Sequence, residues 1–150
     1  VYIQLGEKVK FQELMNQAIA QDPNNPGLFY NLAVVTSDLG DKESAREYYE
    51  KAIEIDPNYQ NAYLNLVALI LEGEQQIVEE MNSLGTSSKD NARYDTLKLE
   101  REKLYKECVP ILKKLIDLEK NEDAIKTLMN IYGTLGNNEG FKKMKALISN

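Results

Sequence analysis

The segments Ala18-Ile19-Ala20-Gln21-Asp22-Pro23-Asn24-Asn25 and Ala52-Ile53-Glu54-Ile55-Asp56-Pro57-Asn58-Tyr59 are near copies of one another. Their prolines, Pro23 and Pro57, stand 34 positions apart. Self-similarity at this spacing is typical of solenoids, because one short unit cannot bury its own apolar face and has to stack on its neighbours. The repeat therefore decides the fold class before any single residue is considered.

The unit between the two prolines has the pattern of two helices. Gly40-Asp41 interrupts the apolar pattern once, and Asp56-Pro57 ends it, since the residue before a proline is pushed out of helical geometry. The helical stripes before and after Gly40 consist of Phe29, Leu32, Ala33, Val35 and Leu39, and of Ala45, Tyr48, Tyr49, Ala52 and Ile53. Two helices joined by a short turn predict an antiparallel hairpin.

This hairpin resembles the tetratricopeptide repeat (TPR). The resemblance is carried by Phe29, Leu32, Ala33, Ala45, Tyr49, Ala52 and Pro57 at their spacings, with small residues where helices cross closely. Thr36 departs from the family pattern, which has an aromatic residue there. The resemblance implies an all-α fold, a right-handed α-solenoid of stacked antiparallel helix hairpins in a TPR-like superhelix.

Extending the register divides the chain, taken as a single TPR-like domain of residues 1–150, into four parts. These are a partial repeat (1–25), a repeat (26–59), a repeat with an extended hairpin (60–121) and a last repeat (122–150). At the start, Gly6 is expected to separate the remnant Val1 to Leu5 from a helix that reaches Pro23. We expect from this remnant, and from the lack of an initiator Met or targeting segment, that the stack continues before residue 1.

The third part is 29 residues longer than one period, which predicts a long helical hairpin. Its first arm runs from Asn61 to Leu84, and a turn follows at Gly85-Thr86-Ser87-Ser88, with Asp90 or Asn91 as the expected helix cap. Pro110 is expected to kink the return arm. The return arm carries an apolar seam spaced alternately by four and three, namely Leu97, Arg101, Leu104, Cys108, Ile111, Leu115 and Leu118. A long hairpin before the last repeat is similar to that of bacterial members of the family.

The last part returns to the family pattern. Its two apolar stripes consist of Ala124, Ile125, Leu128, Met129 and Tyr132, and of Phe141, Met144, Leu147 and Ile148, on either side of a turn at Leu135 to Asn138. Phe141 stands where the family has a small residue. Lys142, Lys143 and Lys145 are expected to form the polar outer face of a terminal cap.

Composition excludes several classes of function. The net charge of −6 leaves no basic stripe for nucleic acid or an anionic membrane surface, and no apolar run approaches the ~20 residues that membrane insertion needs. Cys108 is the only cysteine, so no intramolecular disulfide can form. A cytoplasmic and a periplasmic location both remain open.

The residues do not form a catalytic set, so the sequence predicts no enzyme, no cofactor and no metal. Histidine, the commonest general base, does not occur in the chain. Cys108 is either a nucleophile or a small buried hydrophobe, and its place on the apolar seam favours the second. Adjacent acids at Glu79-Glu80 and Glu122-Asp123 point about 100° apart on a helix, as solvated surface residues do.

The resemblance implies instead a scaffold that binds a peptide or partner protein in the groove lined by the first helix of each hairpin. The groove candidates are Tyr30, Asn31, Val34, Asp38, Asn61, Leu64, Asn65, Ala68, Asp123, Lys126, Thr127 and Asn130. Asn31 and Asn65 hold the same place in successive repeats, where an amide could bind a peptide backbone. Only Asn31 matches the family's carboxylate clamp, so an acidic tail is not the expected ligand.

A structural role is the alternative: self-assembly through the extended hairpin at residues 73–108, with a homodimer as one outcome. Tyr94 and Leu97 near its tip either form an exposed apolar patch or are buried between the two arms. The second interpretation is favoured.

Overall fold

Every regular element in the described part of the chain is an α-helix. The computed structural model describes residues 2–148, and within them seven helices and no strand are present. The helices are α1 (Tyr2–Gln21), α2 (Pro26–Asp38), α3 (Lys42–Ile55), α4 (Gln60–Ser83), α5 (Ser88–Leu118), α6 (Glu122–Thr134) and α7 (Asn138–Ile148). The all-α prediction is confirmed. The breaks expected at Gly40-Asp41 and Asp56-Pro57 follow α2 and α3, and the first arm expected from Asn61 to Leu84 agrees with α4 to within one residue.

Two of the turns between helices are built in the same way. After α2, Gly40 takes a φ of +91°, its N–H donates to the carbonyl of Ser37, and the N–H of Asp41 donates to the carbonyl of Thr36 at 3.2 Å. After α6, Gly136 (φ +69°) and the residue that follows it repeat both bonds. This is the Schellman arrangement, which satisfies the last carbonyls of a helix and needs a left-handed residue.

Side chains that accept backbone hydrogen bonds start the helices. The Asn25 side chain accepts from the N–H of Gly27 with Pro26 at the first helical position, and Asp41 accepts from Ser44. The Ser87 side chain caps α5 by accepting from Asp90, whose carboxylate accepts in return from the N–H of Ser87. The predicted cap was wrong by three or four residues: Asp90 is the reciprocal member of the box, not the cap.

The expected break at Gly6 does not exist. Helix α1 is continuous from Tyr2 to Gln21, so residues 2–5 are its first turn and not the remnant of a separate helix. A glycine inside a helix lowers its stability by only about 0.5–1 kcal/mol, which the neighbouring helix-forming residues offset. No proline or capping residue stands beside Gly6 to end the helix there. Val1 lies outside the described residues.

The chain divides into two compact units, Val1–Leu69 and Ile70–Asn150, and α4 contributes to both. In the first unit α1 packs on α2, and α2 on α3. The small residues of the repeat lie where the helices meet: Ala33, Ala45 and Ala52 are fully buried. Thr36 is fully buried as well, and its Oγ1 accepts a 3.2 Å hydrogen bond from Nε2 of Gln12 on α1. A polar contact thus replaces the aromatic packing usual at that position.

In the second unit, the last part of α4 lies beside the first part of α5, and α6 packs on α5 and on α7. The predicted seam of α5 is correct only at Leu97, Cys108 and Leu115, which are buried. Tyr105 and Leu112 are buried in place of Leu104 and Ile111, while Arg101, Leu104, Ile111 and Leu118 are only partly buried. A straight helix has about 3.6 residues per turn, so its buried face drifts away from a 3.5-residue repeat over this length. The helix also continues through Pro110.

Phe141 is accommodated by a compensating glycine. A methyl group built on Gly133 of α6 would lie 3.6 Å from the Phe141 ring, so the ring sits against bare backbone. The large residue at a position where the family has a small one is therefore matched by a small residue on the facing helix.

Candidate functional site

Tyr30 of α2 and Asn65 of α4 are joined directly in the first unit. Nδ2 of Asn65 donates to the hydroxyl of Tyr30 at 3.0 Å and to the hydroxyl of Tyr49 at 3.4 Å. The amide nitrogen therefore has two tyrosine acceptors. The Asn65 carbonyl oxygen makes no hydrogen bond within the described residues, and the Tyr30 hydroxyl, having accepted from Asn65, retains its own hydrogen to donate.

Aromatic rings surround this pair. The Tyr30 ring lies 5.9 Å from that of Tyr49 and 5.2 Å from that of Tyr59, both tilted, which is the favourable geometry for aromatic contacts. Burial raises the pKa of Tyr59, and the nearby Tyr30 and Asp56 raise it further. Burial likewise raises the pKa of Tyr63, whose hydroxyl donates to the carbonyl of Pro57 at 3.0 Å. These hydroxyls stay protonated at neutral pH and can act as donors.

The other groove candidates of the first unit are on α2 and α4, the helices that contain Tyr30 and Asn65. Asn31, Asp38, Asn61 and Ala68 are exposed, whereas Val34 and Leu64 are half-buried. Asp38 forms a 3.0 Å ion pair with Lys8 of α1, so its carboxylate is already partnered. Asn31 and Asn65 therefore differ: Asn31 is exposed, while Asn65 donates to two tyrosines of the same unit.

The candidates on α6 belong to the second unit, where Asp123, Lys126 and Asn130 are exposed and Thr127 is half-buried. Lys126 forms a 2.6 Å ion pair with Glu122, which raises the pKa of Lys126. Thr127 donates its hydroxyl to the carbonyl of Asp123 at 2.8 Å, and the carbonyl of Asn130 accepts from Thr134. Each of these interactions is local to the helix.

Sequence reasoning missed Tyr59 and treated Tyr49 as core alone. Tyr49 is indeed buried, but its hydroxyl is one of the two acceptors for Asn65. Tyr59 precedes α4 and packs on Tyr30 through the turn that Asp56 and Pro57 create. The density of tyrosines, nine in 150 residues without a tryptophan, was the available signal.

At the tip of the long helices the two predicted patch residues have different environments. Leu97 is buried, whereas the Tyr94 side chain is 45% exposed. Leu99, which the sequence analysis did not single out, is 66% exposed. The favoured interpretation that both residues would be buried was therefore right for Leu97 and wrong for Tyr94.

Cys108 is fully buried, as expected for a small hydrophobe. Among residues 2–148, the acids and the cysteine form no cluster of three that could hold a metal ion. None of the described helices is long and apolar enough to cross a membrane.

A family model described as tetratricopeptide repeat matches residues 26–59, which form α2, α3 and the turn after them. Residues 26–59 are therefore similar to one tetratricopeptide repeat. None of the curated proteins compared with the chain is detectably similar to it in sequence.

Solved structures are similar in fold. A crystal structure of MamA is 15% identical with a TM-score of 0.60, and the alignment covers 97% of this chain and 64% of that one. A second MamA structure, MSR-1, is 18% identical with a TM-score of 0.56, over 99% of this chain and 71% of that one. A thermophilic TPR protein from Thermus thermophilus is 21% identical over 97% of this chain and 83% of its own, with a TM-score of 0.42.

The two MamA similarities, with the family match over residues 26–59, show that the fold is of the TPR solenoid type. The chain spans less than two thirds of the length of the first MamA structure. TPR proteins generally mediate protein–protein interactions, and they are typically non-catalytic scaffolds.

Proposed function

We propose that the chain is a protein-interaction scaffold and that the α2–α4 face of its first unit binds an extended peptide segment of a partner protein. The observation that carries the proposal is the pairing of Tyr30 with Asn65. The Tyr30 hydroxyl can donate a hydrogen bond, and the adjacent carbonyl oxygen of Asn65 can accept one. A peptide group presents the complementary acceptor and donor whatever its side chain is.

The surroundings of the pair support the same ligand. The Tyr30 and Tyr59 rings, which are tilted against each other, offer an apolar contact for a side chain of the peptide. The exposed Asn31 adds a second amide one residue from Tyr30. Because Asn65 is held by two tyrosine hydroxyls, its oxygen is fixed in place before the ligand arrives, which lowers the entropic cost of binding.

The division of the chain into repeats, with the third extended between residues 60 and 121, is part of this proposal. So are the α6 candidates Lys126, Thr127 and Asn130, which would extend the binding surface in the second unit.

A peptide library displayed on phage and selected on the intact chain provides ligands for a quantitative test. Selected peptides are synthesised and their dissociation constants measured by fluorescence anisotropy. Tyr30→Phe removes the hydroxyl and keeps the ring. The peptide then loses one hydrogen bond to the chain, which is expected to weaken binding by about five- to tenfold. Asn31→Ala is expected to weaken it by a smaller factor.

Lys51→Ala provides the matched control. Lys51 is an exposed residue of α3 whose ion pair with Glu54 is a local surface contact. The proposal fails if peptides bind the Tyr30→Phe and Asn31→Ala variants as tightly as they bind the unchanged chain, or if Lys51→Ala weakens binding equally.

Self-association through the extended hairpin is the second candidate, and the exposure of Leu99 and Tyr94 favours it. Helices α4 and α5 have 24 and 31 residues, against 11 to 14 for α2, α3, α6 and α7. Sedimentation equilibrium of the intact chain and of Leu99→Glu separates the outcomes. A dimer that the charge disrupts supports this role, and a monomer in both samples at high concentration removes it.

A further inference from the structure

The second unit contains a small cavity whose lining is unlike the tyrosine cluster of the first. It has a volume of about 110 Å³, and its walls come from the end of α4, the first half of α5 and the end of α6. The lining residues are Met81, Tyr94, Lys98, Arg101, Glu102, Tyr105 and Thr134. Pockets for drug-sized molecules have about 300–1,000 Å³, so this cavity has room for one side chain and not for a cofactor.

The most constrained group in the cavity wall is the guanidinium of Arg101. Its Nε donates to Glu74 at 2.8 Å, its Nη2 donates to the hydroxyl of Tyr105 at 2.8 Å, and the Tyr105 hydroxyl itself bonds to Glu74. The side chains of Arg101 and Glu74 are only 28% and 22% exposed, and Tyr105 is buried. This network holds the guanidinium in one orientation before any ligand binds.

Two cationic donors remain unused at the cavity. Nη1 of Arg101 makes no hydrogen bond to the residues that the structure describes, and the same holds for the ammonium of Lys98 one helical turn earlier. Glu102 is the opposing charge, and its carboxylate faces Lys106 at 3.8 Å. Counting the lining residues and their ion-pair partners gives three cations, Lys98, Arg101 and Lys106, and two acids, Glu74 and Glu102. The cavity is therefore locally cationic, although the chain has a net charge of −6.

The other walls are apolar or aromatic. Tyr94 is 45% exposed although it is a large aromatic residue, and Met81, which adapts its shape readily to a ligand, is half-buried beside it. A ligand that satisfies the whole lining needs a carboxylate for the cations and an apolar group for Tyr94 and Met81.

We infer that this cavity is a second binding site, separate from the α2–α4 face, for an acidic peptide segment in which a Glu or Asp side chain follows a large apolar residue. The carboxylate enters between Lys98 and Nη1 of Arg101, and the apolar side chain lies on Tyr94. The preformed Glu74–Arg101–Tyr105 network provides the geometry, and Lys98 adds charge that salt can screen.

The test uses short capped peptides on the intact chain. The probe is Gly-Phe-Glu-Glu-Gly, and its comparators are Gly-Phe-Gln-Gln-Gly, Gly-Ala-Glu-Glu-Gly and sodium acetate. Binding is followed by NMR through the Arg101 side-chain Nε–H and the Thr134 amide. We expect saturable shifts with the first peptide and an affinity lower by about tenfold for the Gln peptide, since a charge-assisted bond is replaced by a neutral one.

Variants with opposite expected effects sharpen the test without disturbing the buried network. Lys98→Glu is expected to weaken binding of the acidic peptide about tenfold, and Glu102→Gln is expected to strengthen it severalfold because a competing charge is removed. Lys103→Glu, an exposed lysine of the same helix outside the cavity, is the matched control.

Equal affinity for the Glu and Gln peptides would overturn the inference, as would an equal loss in Lys98→Glu and Lys103→Glu. Acetate alone binding as tightly as the peptide would show that the site recognises only charge, which also overturns it. Tyr30→Phe is expected to leave this binding unchanged, so the two sites can fail independently.

Discussion

Nδ2 of Asn65 lies 3.0 Å from the hydroxyl of Tyr30, and this single bond joins α2 to α4 across 35 positions of sequence. Asn31 occupies the same register position 34 residues earlier and is exposed. The same residue type at the same register position is thus hydrogen-bonded within the fold on α4 and a solvated side chain on α2.

This difference predicts different effects of the two alanine substitutions on stability. Asn65→Ala removes the hydrogen bonds that the Asn65 amide donates to the hydroxyls of Tyr30 and Tyr49, and we expect it to lower the free energy of unfolding by about 1–3 kcal/mol. Asn31→Ala is expected to change it by less than about 0.5 kcal/mol. Urea denaturation of both variants, followed by circular dichroism, measures the difference. Equal effects would contradict the role given to Asn65.

Thr36 is predicted to be better suited to its site than the aromatic residue that the family resemblance suggests. Thr36→Val keeps the shape but removes the acceptor for Gln12, at an expected cost of about 1 kcal/mol. Thr36→Tyr forces a ring into a fully buried site, at an expected cost of about 1–3 kcal/mol. Thermal and urea unfolding measure both. Ser37→Ala, next in sequence, is the control, and a stabilised Thr36→Tyr variant would show that the site has unfilled space.

Gly6 and Gly40 predict alanine effects of opposite sign. A methyl group at Gly6 meets nothing within 4 Å inside helix α1, so Gly6→Ala should raise the free energy of unfolding by about 0.5–1 kcal/mol. Gly40 also has open space, but its φ of +91° is strained for any L-residue, so Gly40→Ala should lower it by about 1–2 kcal/mol. Gly136→Ala tests the same reasoning in the second unit. Stabilisation by Gly40→Ala would refute the Schellman account of the turn.

The ion pair between Glu80 of α4 and Arg93 of α5 predicts a pH dependence. Hydrogen bonds from Arg93, at 2.6 and 2.9 Å, hold the pKa of Glu80 below its ordinary value in the folded chain. The stabilisation is therefore fully present above the unfolded-state pKa, and it is lost as the pH falls through the lower folded-state pKa.

An NMR titration of the Glu80 carboxyl checks this directly. Arg93→Gln should raise the pKa of Glu80, whereas Lys89→Gln, which removes an exposed charge of the same helix, should leave it nearly unchanged. An unchanged pKa in Arg93→Gln would mean that the two side chains do not pair in solution.

The sequence predicted most of the local structure because local rules govern it. The proline spacing, Gly40-Asp41 and Asp56-Pro57 determine where α2 and α3 begin and end, whatever packs against them. The prediction failed at Gly6, where a helix-breaking residue was given more weight than the helical residues around it. It failed again along α5, where a seven-residue repeat predicted Leu104 and Ile111 to be buried, whereas the structure buries the adjacent Tyr105 and Leu112.

The candidate sites depend on pairings that no local rule gives. The register alone makes Asn31 and Asn65 equivalent. Only the tertiary structure shows that Asn65 of α4 donates to Tyr49 of α3, whereas Asn31 is exposed to solvent. From the sequence, Arg101 interrupts a predicted apolar seam. In the structure, its guanidinium donates a hydrogen bond to Glu74 of α4.

What the sequence by itself determined is the repeat: the helices, their turns and the small residues at their crossings, all consequences of backbone conformational preference and apolar periodicity. What only the tertiary structure decided is which polar side chains are satisfied within the fold and which remain available to a ligand. That distinction depends on distances of about 3 Å between residues far apart in the chain, because a hydrogen bond forms only where packing brings its two partners together.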